Sequence, residues 1–250
     1  MSYDGSSLTS QDIETFGGYL FVSFSGIEQI KIYSLATHEL LDSIEIEMQH
    51  GTGMQFSNDF YDENDEFPLL YVGGWTTNQI NVIRILKENE SWTASIIKKL
   101  IIPTSEGYYL APSIDNENNL LYCYGYKNNS NQAYNNKMIL LKCDLSNLSE
   151  NQDNTFTPYI LNRIETDYMG VTQGRKYFNN RLYVGFSNTS SPHNSRLVAI
   201  DVNNGQTKTD VDLSGVTSSE NEGVCYIIDS NNHIKWLYSD YYNVFQLEFL

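Results

Sequence analysis

Short runs of apolar residues, broken by polar turns, recur along this 250-residue chain in five similar sets. Their clearest members are Tyr19–Phe24, Leu69–Gly74, Leu120–Gly125, Arg181–Phe186 and Ile234–Ser239. An aromatic residue stands third in each: Phe21, Tyr71, Tyr122, Tyr183 and Trp236, at intervals of 50, 51, 61 and 53 residues. The long interval carries two polar insertions, about 127–137 and 149–155, which have the composition of surface loops. Before each run lies a turn rich in Gly, Asn or Asp, such as Gly17-Gly18, Asn179-Asn180 and Asn231-Asn232, residue types that tolerate the positive φ of tight hairpins. A third apolar run follows each: Ile30–Leu35, Ile80–Ile85, Met138–Leu145, Leu197–Val202 and Val244–Phe249. Four units also have a fourth, for example Leu40–Ile46 and Thr93–Ile101. Helical periodicity is weak throughout.

One unit is therefore a four-stranded antiparallel meander of about 50 residues. Such a sheet leaves two faces and an edge open, and radial stacking covers the faces. Near-continuous apolar strands such as Leu69–Val72 suit a sheet covered on both sides. A sandwich gives no reason for the period, and a solenoid turn is shorter. The expected fold is all-β: a five-bladed β-propeller, one domain over residues 1–250, with blades near 10–48, 50–102, 108–165, 171–214 and 221–250. The chain ends with the third strand of the last blade. That blade is expected to be three-stranded or completed by Met1–Leu8 pairing beside Val244–Phe249.

The first strand of each unit lines the axis of such a fold. In register these strands read Ser10–Ile13, Gly51–Met54, Tyr109–Pro112, Thr172–Arg175 and Asn221–Val224, with Gly53, Ala111, Gly174 and Gly223 at the third place. Small residues belong where five strands crowd one axis. The polar neighbours Gln11, Asp12, His50, Gln55, Gln173, Arg175, Glu220 and Glu222 are expected at one mouth of the channel, with Tyr108, Tyr109 and Tyr168 as aromatic company. The predicted ligand-binding set is Gln11, Asp12, His50, Gln55, Tyr109, Gln173, Arg175 and Glu222. The competing view is that these groups satisfy one another in a closed channel.

Composition narrows the function classes. A net charge of −16 argues against nucleic acid and against anionic membrane surfaces. No apolar stretch is long enough to span a bilayer, and residues 1–10 lack the features of a secretory signal, so the compartment stays open, with an extracellular or virion surface among the options. Cys123, Cys143 and Cys225 have no metal spacing, and Cys123 and Cys225, inside β-type apolar runs, read as small buried hydrophobes. His38, His50, His193 and His233 are scattered without zinc-ligand spacing. The acidic run Asp62–Glu66 lacks the glycine and distal glutamate of a calcium loop and reads as a hairpin turn. No metal or other cofactor is expected. Nineteen tyrosines, several of them in loops (Tyr108, Tyr126, Tyr134, Tyr168, Tyr241 and Tyr242), suit a recognition surface.

The repeat resembles β-propeller repeat proteins over nearly the whole chain. More narrowly, His50–Phe56 (HGTGMQF) followed by Asp65–Val72 (DEFPLLYV), with Thr172–Gly174 and Glu220–Gly223, resembles uncharacterised propeller proteins of gut bacteria and their phages. The resemblance implies a fold and a surface setting, and it brings no activity or site residues. Three functions compete. The preferred one is a non-enzymatic binding or adhesion module for a glycan or protein ligand, as a surface or phage-particle appendage. The second is a glycosidase-like hydrolase with carboxylates such as Asp12, Glu222, Glu220 and Asp167 at the axial mouth. The third is a structural subunit assembled into a larger complex.

Overall fold

The computed structural model describes residues 9–48, 50–74, 78–127, 137–149, 153–166, 170–187, 195–216 and 219–247. The expected pairing of Met1–Leu8 with the last strand, and the candidates Asp167, Tyr168 and His193, lie outside these residues.

Five antiparallel sheets form the blades of a propeller. Blade one holds β1 (Ser10–Phe16), β2 (Tyr19–Phe24), β3 (Gln29–Ser34) and β4 (Leu40–Glu45). Blade two holds β5 (His50–Phe56), β6 (Leu70–Gly74), β7 (Gln79–Glu88) and β8 (Ser91–Ile101). Blade three starts with β9 (Tyr108–Asp115), β10 (Leu120–Tyr126) and β11 (Met138–Asp144). After the short β12 (Thr155–Phe156) it ends with β13 (Tyr159–Thr166). Blade four holds β14 (Val171–Phe178), β15 (Arg181–Ser187), β16 (Arg196–Asp201) and β17 (Thr207–Asp212). Blade five has three strands among the described residues: β18 (Asn221–Ile228), β19 (Ile234–Asp240) and β20 (Val244–Leu247).

The repeat is built by side chains that alternate between the two neighbouring blades. Phe21, Ile30 and Ile32 of blade one pack on Met54, Leu70 and Ile83 of blade two. Leu20 and Val22, one place away, pack on Cys225 and Leu237 of blade five. Successive residues of a strand point to opposite faces, so a strand buried on both faces is apolar at every place. The third-place aromatics are wedges in these seams. Phe21 and Tyr71 are fully buried, and Tyr183 lies 4.1 Å from the ring of Trp236 in the next blade.

One insertion behaves differently from its composition. The segment that ends the 149–155 loop forms β12, which pairs in parallel with the outer strand β8 of blade two, Thr155 opposite Lys99 and Phe156 opposite Leu100. An outer strand presents unpaired N–H and C=O groups, and β12 covers part of that edge. Lys98 reinforces the junction, its Nζ donating to the Leu148 carbonyl at 2.9 Å.

The ring closes between blades five and one. Ser10 Oγ donates to the Asp240 carbonyl and Thr15 Oγ1 to the Tyr226 carbonyl, each at 2.9 Å. The axis is narrow: β14 touches β1 and β5 as well as its neighbours β9 and β18. A Cβ on Gly174 would stand 2.5 Å from Gly223 Cα and 2.6 Å from Val224 N, so only glycine fits. Cys123, Cys143 and Cys225 are buried free thiols. No helix among the described residues is long and apolar enough to cross a membrane.

Candidate active site

The inner strands lie side by side in the same sense. Asp12 reaches Met54 and Glu14 reaches Phe56 from β1 to β5, and Gln55 reaches Ile114 from β5 to β9. Their first residues therefore gather at one end of the axis and their last at the other.

The first end is acidic. Glu220, just before β18, is half-buried and is held by donors from three other segments. Gln173 Nε2, at the irregularity in β14, donates to Oε1 at 2.8 Å, and Ser187 Oγ, at the end of β15, donates to the same oxygen at 3.0 Å. The Tyr241 hydroxyl, from the turn between β19 and β20, donates to Oε2. Two residues on, Glu222 lies deeper with 1% of its surface exposed, and its Oε2 has no hydrogen-bond partner among the described residues. Burial raises the Glu222 pKa well above the usual carboxylate range, and the charges of Glu220 and Asp12 push the same way, against the nearby Tyr241 hydroxyl. Burial and Glu220 likewise hold the Tyr241 phenol far above its ordinary pKa, so it remains a donor. The Tyr241 phenol thus stands beside two carboxyl groups, of which burial holds Glu222 well above the usual carboxylate range.

His50 opens β5 at the same end, half-buried and at φ 112°. Burial lowers its pKa, and the charge of Glu220 works in the opposite direction. Tyr109 is half-buried at the head of β9 and meets Tyr126 edge-on at 5.7 Å. Glu222, Gln173, His50 and Tyr109 are therefore the predicted ligand-binding residues that this end brings together.

Of the other four predicted residues, Gln11 is spent on its own strand, Asp12 and Arg175 face inward, and Gln55 lies elsewhere. Gln11 is the bulge residue of β1, and its amide donates to Ser10 O and Thr9 Oγ1 nearby. Asp12 is deeper on the axis and fully buried, accepting from Ile13 N at 2.8 Å and Met54 N at 2.6 Å. Burial pushes its pKa up to about 7 despite those bonds and the charges of Arg175 and Lys176. Arg175 is buried as well. Its Nη2 donates to Thr172 Oγ1, and desolvation draws its pKa down to about 10 against the charge of Asp12. Gln55 belongs to the opposite end, where its amide clamps both backbone groups of Ile114. Below Asp12 the axis is filled by an ion pair between Glu14 and Lys176, both nearly inaccessible.

Tyr241 and Ser187 are the groups that the repeat pattern did not mark as parts of this end. Tyr241 stands out in the sequence only as one of several loop tyrosines, and Ser187 carries no signal at all. Among the described residues no group of three or more His, Cys, Asp or Glu is placed to hold a metal ion.

No protein-family model matches the chain, and no curated protein matches it. The resemblance to propellers of gut bacteria and phages therefore has no counterpart among these comparisons. Solved structures do match. The crystal structure of Myxococcus xanthus glutaminyl cyclase is similar with a TM-score of 0.59 at 11% identity, covering 99% of this chain and 96% of that one. Quinohemoprotein alcohol dehydrogenase from Comamonas testosteroni is similar over 96% of this chain and 41% of that chain, at 13% identity and a TM-score of 0.39. The first likeness shows a shared propeller fold over the whole of both chains. It also corrects the expectation of a non-enzymatic binding or adhesion module: the neighbour matched from end to end is itself an enzyme, and the comparisons give no support for binding or adhesion.

Proposed function

We propose that the chain is an enzyme working by acid–base catalysis at the acidic end of its axis, with Glu220 as the group that exchanges a proton with substrate. The observation that carries this reading is the setting of Glu220: half-buried, oriented by three donors, and next to the deeply buried Glu222, whose pKa burial raises. Pairs of carboxyl groups whose surroundings drive their protonation apart are a recurring mark of acid–base sites. The reaction we assign is ring closure of an N-terminal glutaminyl residue. Its amino nitrogen attacks the side-chain carboxamide carbon, the C–N bond to the carboxamide nitrogen breaks, and ammonia leaves. One proton must be taken from the attacking nitrogen and one given to the departing nitrogen. A single carboxylate at the mouth can do both in turn. Gln173, Ser187 and Tyr241 keep Glu220 oriented, and the Tyr241 hydroxyl holds a proton beside it. The shared fold with a glutaminyl cyclase supports this choice of substrate.

A second reading has its own support. The two carboxyl groups lie close enough for the Tyr241 hydroxyl to interact with both, and burial raises the Glu222 pKa, as the acid of a pair that cleaves glycosidic bonds requires. One set of assays separates the two readings. Purified protein is incubated with peptides beginning in glutamine, following release of ammonia and the matching mass loss, and with a panel of aryl glycosides. Glutaminyl turnover that falls by about 100-fold or more in E220Q supports the first reading. Glycoside turnover lost in both E220Q and E222Q supports the second. Turnover unaffected in E220Q, or no turnover of either substrate class, overturns the proposal.

A further inference from the structure

On the face opposite the acidic mouth, a cleft of ≈ 630 Å³ opens between blades two and three. We propose that this cleft binds a small organic ammonium ion carrying an apolar tail. The volume is that of a small-molecule site rather than a packing defect.

Its floor is apolar, with Leu69, Val82 and Ile97 from blade two facing Leu145 and Leu148 from blade three. Its rim is different. Asp59 and Phe60 follow β5, and Phe60 is 46% exposed. Its neighbour Tyr61 lies under the guanidinium of Arg84 at 4.6 Å, and Arg84 is tied by two hydrogen bonds to Asp65. That tie anchors the rim, so the wall is preformed.

Among the described residues that line the cleft, the carboxylates of Asp59 and Asp153 outnumber one ammonium, Lys98, which donates to the Leu148 carbonyl. The charge balance is thus negative over an apolar base. An ammonium head beside Asp59, with its tail on the floor and its positive charge near the Phe60 ring, satisfies each of these features. An alcohol of the same shape lacks the charge, and a carboxylate brings repulsion.

The test is an amide NMR titration of the intact protein with 2-phenylethylammonium, 2-phenylethanol and 3-phenylpropanoate as probes. The ammonium probe should shift amides of the cleft saturably at millimolar concentration, with the alcohol several-fold weaker and the carboxylate weakest. In D59N the preference for ammonium over alcohol should disappear while alcohol binding is kept. In I97Q, which makes the floor polar, all probes should weaken by about tenfold. The folded state of each variant is read from the same spectra. The proposal is overturned by alcohol binding as tightly as ammonium, by unchanged discrimination in D59N, or by shifts confined to other parts of the surface. This outcome is independent of any turnover at the acidic mouth.

Discussion

The carboxylate of Asp12 on the inner strand of blade one accepts a hydrogen bond from the backbone N–H of Met54 on blade two, at 2.6 Å and with no exposure to solvent. This bond stitches two blades together at the axis. Its acceptor is a group whose pKa is pushed up to about 7 by burial.

Asp12 gives the molecule a pH dependence of defined sign. A carboxyl raised in the folded state binds more protons there than in the unfolded chain, so stability is greatest below about pH 4 for this group and falls as pH rises through about 7. Glu222 is raised as well and acts in the same direction. Urea unfolding at a series of pH values should show stability falling between about pH 4 and 7, by at most about 1.4 kcal/mol per pH unit for each group. D12N should flatten this slope while lowering stability overall, because an amide offers one acceptor where Asp12 uses both oxygens. A slope unchanged in D12N would contradict the assignment.

Gly174 tests the crowding of the axis. An added Cβ would meet the backbone of Gly223 and Val224 at 2.5 and 2.6 Å, atoms that move only if an inner strand moves. G174A is expected to destabilise the fold by about 2–4 kcal/mol, measured by denaturant unfolding. Gly215, around which a Cβ meets nothing within 4 Å, is the control, and G215A should stay within about 0.5 kcal/mol of wild type.

The ion pair of Lys176 with Glu14 is buried at both ends, and Glu14 also accepts from the backbone N–H groups of Thr15 and Phe56. Removing the lysine leaves an uncompensated buried carboxylate. K176M should therefore cost about 3–5 kcal/mol. A double-mutant cycle with E14Q should return a coupling of more than about 1 kcal/mol, whereas additive effects would mean that the two charges do not depend on one another.

Tyr241 distinguishes orientation of Glu220 from mere proximity. Y241F removes one of three donors, so whichever substrate is turned over should show a reduced kcat, by about tenfold, with KM little changed. The pH–rate profile should shift too, because the hydroxyl also acts on Glu222. An S187A variant removes a donor to the other oxygen and should lower kcat without moving the profile as far. Identical kinetics in Y241F and wild type would remove Tyr241 from the site.

Much of the fold was legible from the spacing of Phe21, Tyr71, Tyr122, Tyr183 and Trp236, because each blade must bury both faces and repeats the same wedge to do so. The glycines at the axis were legible for a related reason, as contact between backbones leaves no choice of side chain. The site was legible only in part. Glu220, Glu222, Gln173 and His50 share the heads of their strands, and strand register alone places them at one end. Gln55 went astray because it stands at the tail of β5, and a residue name beside the axis does not say which end it faces.

Local sequence determined where strands begin, which places must be apolar and where only glycine fits, since these depend on the pleat and on contacts repeated in every blade. Tertiary structure decided the rest. It set β12 on the edge of a neighbouring blade and turned Arg175 and Asp12 into the interior. It also brought Tyr241 and Ser187 onto Glu220 from two different blades. Hydrogen bonds between distant segments depend on how the ring closes, and no run of neighbouring residues encodes that closure by itself.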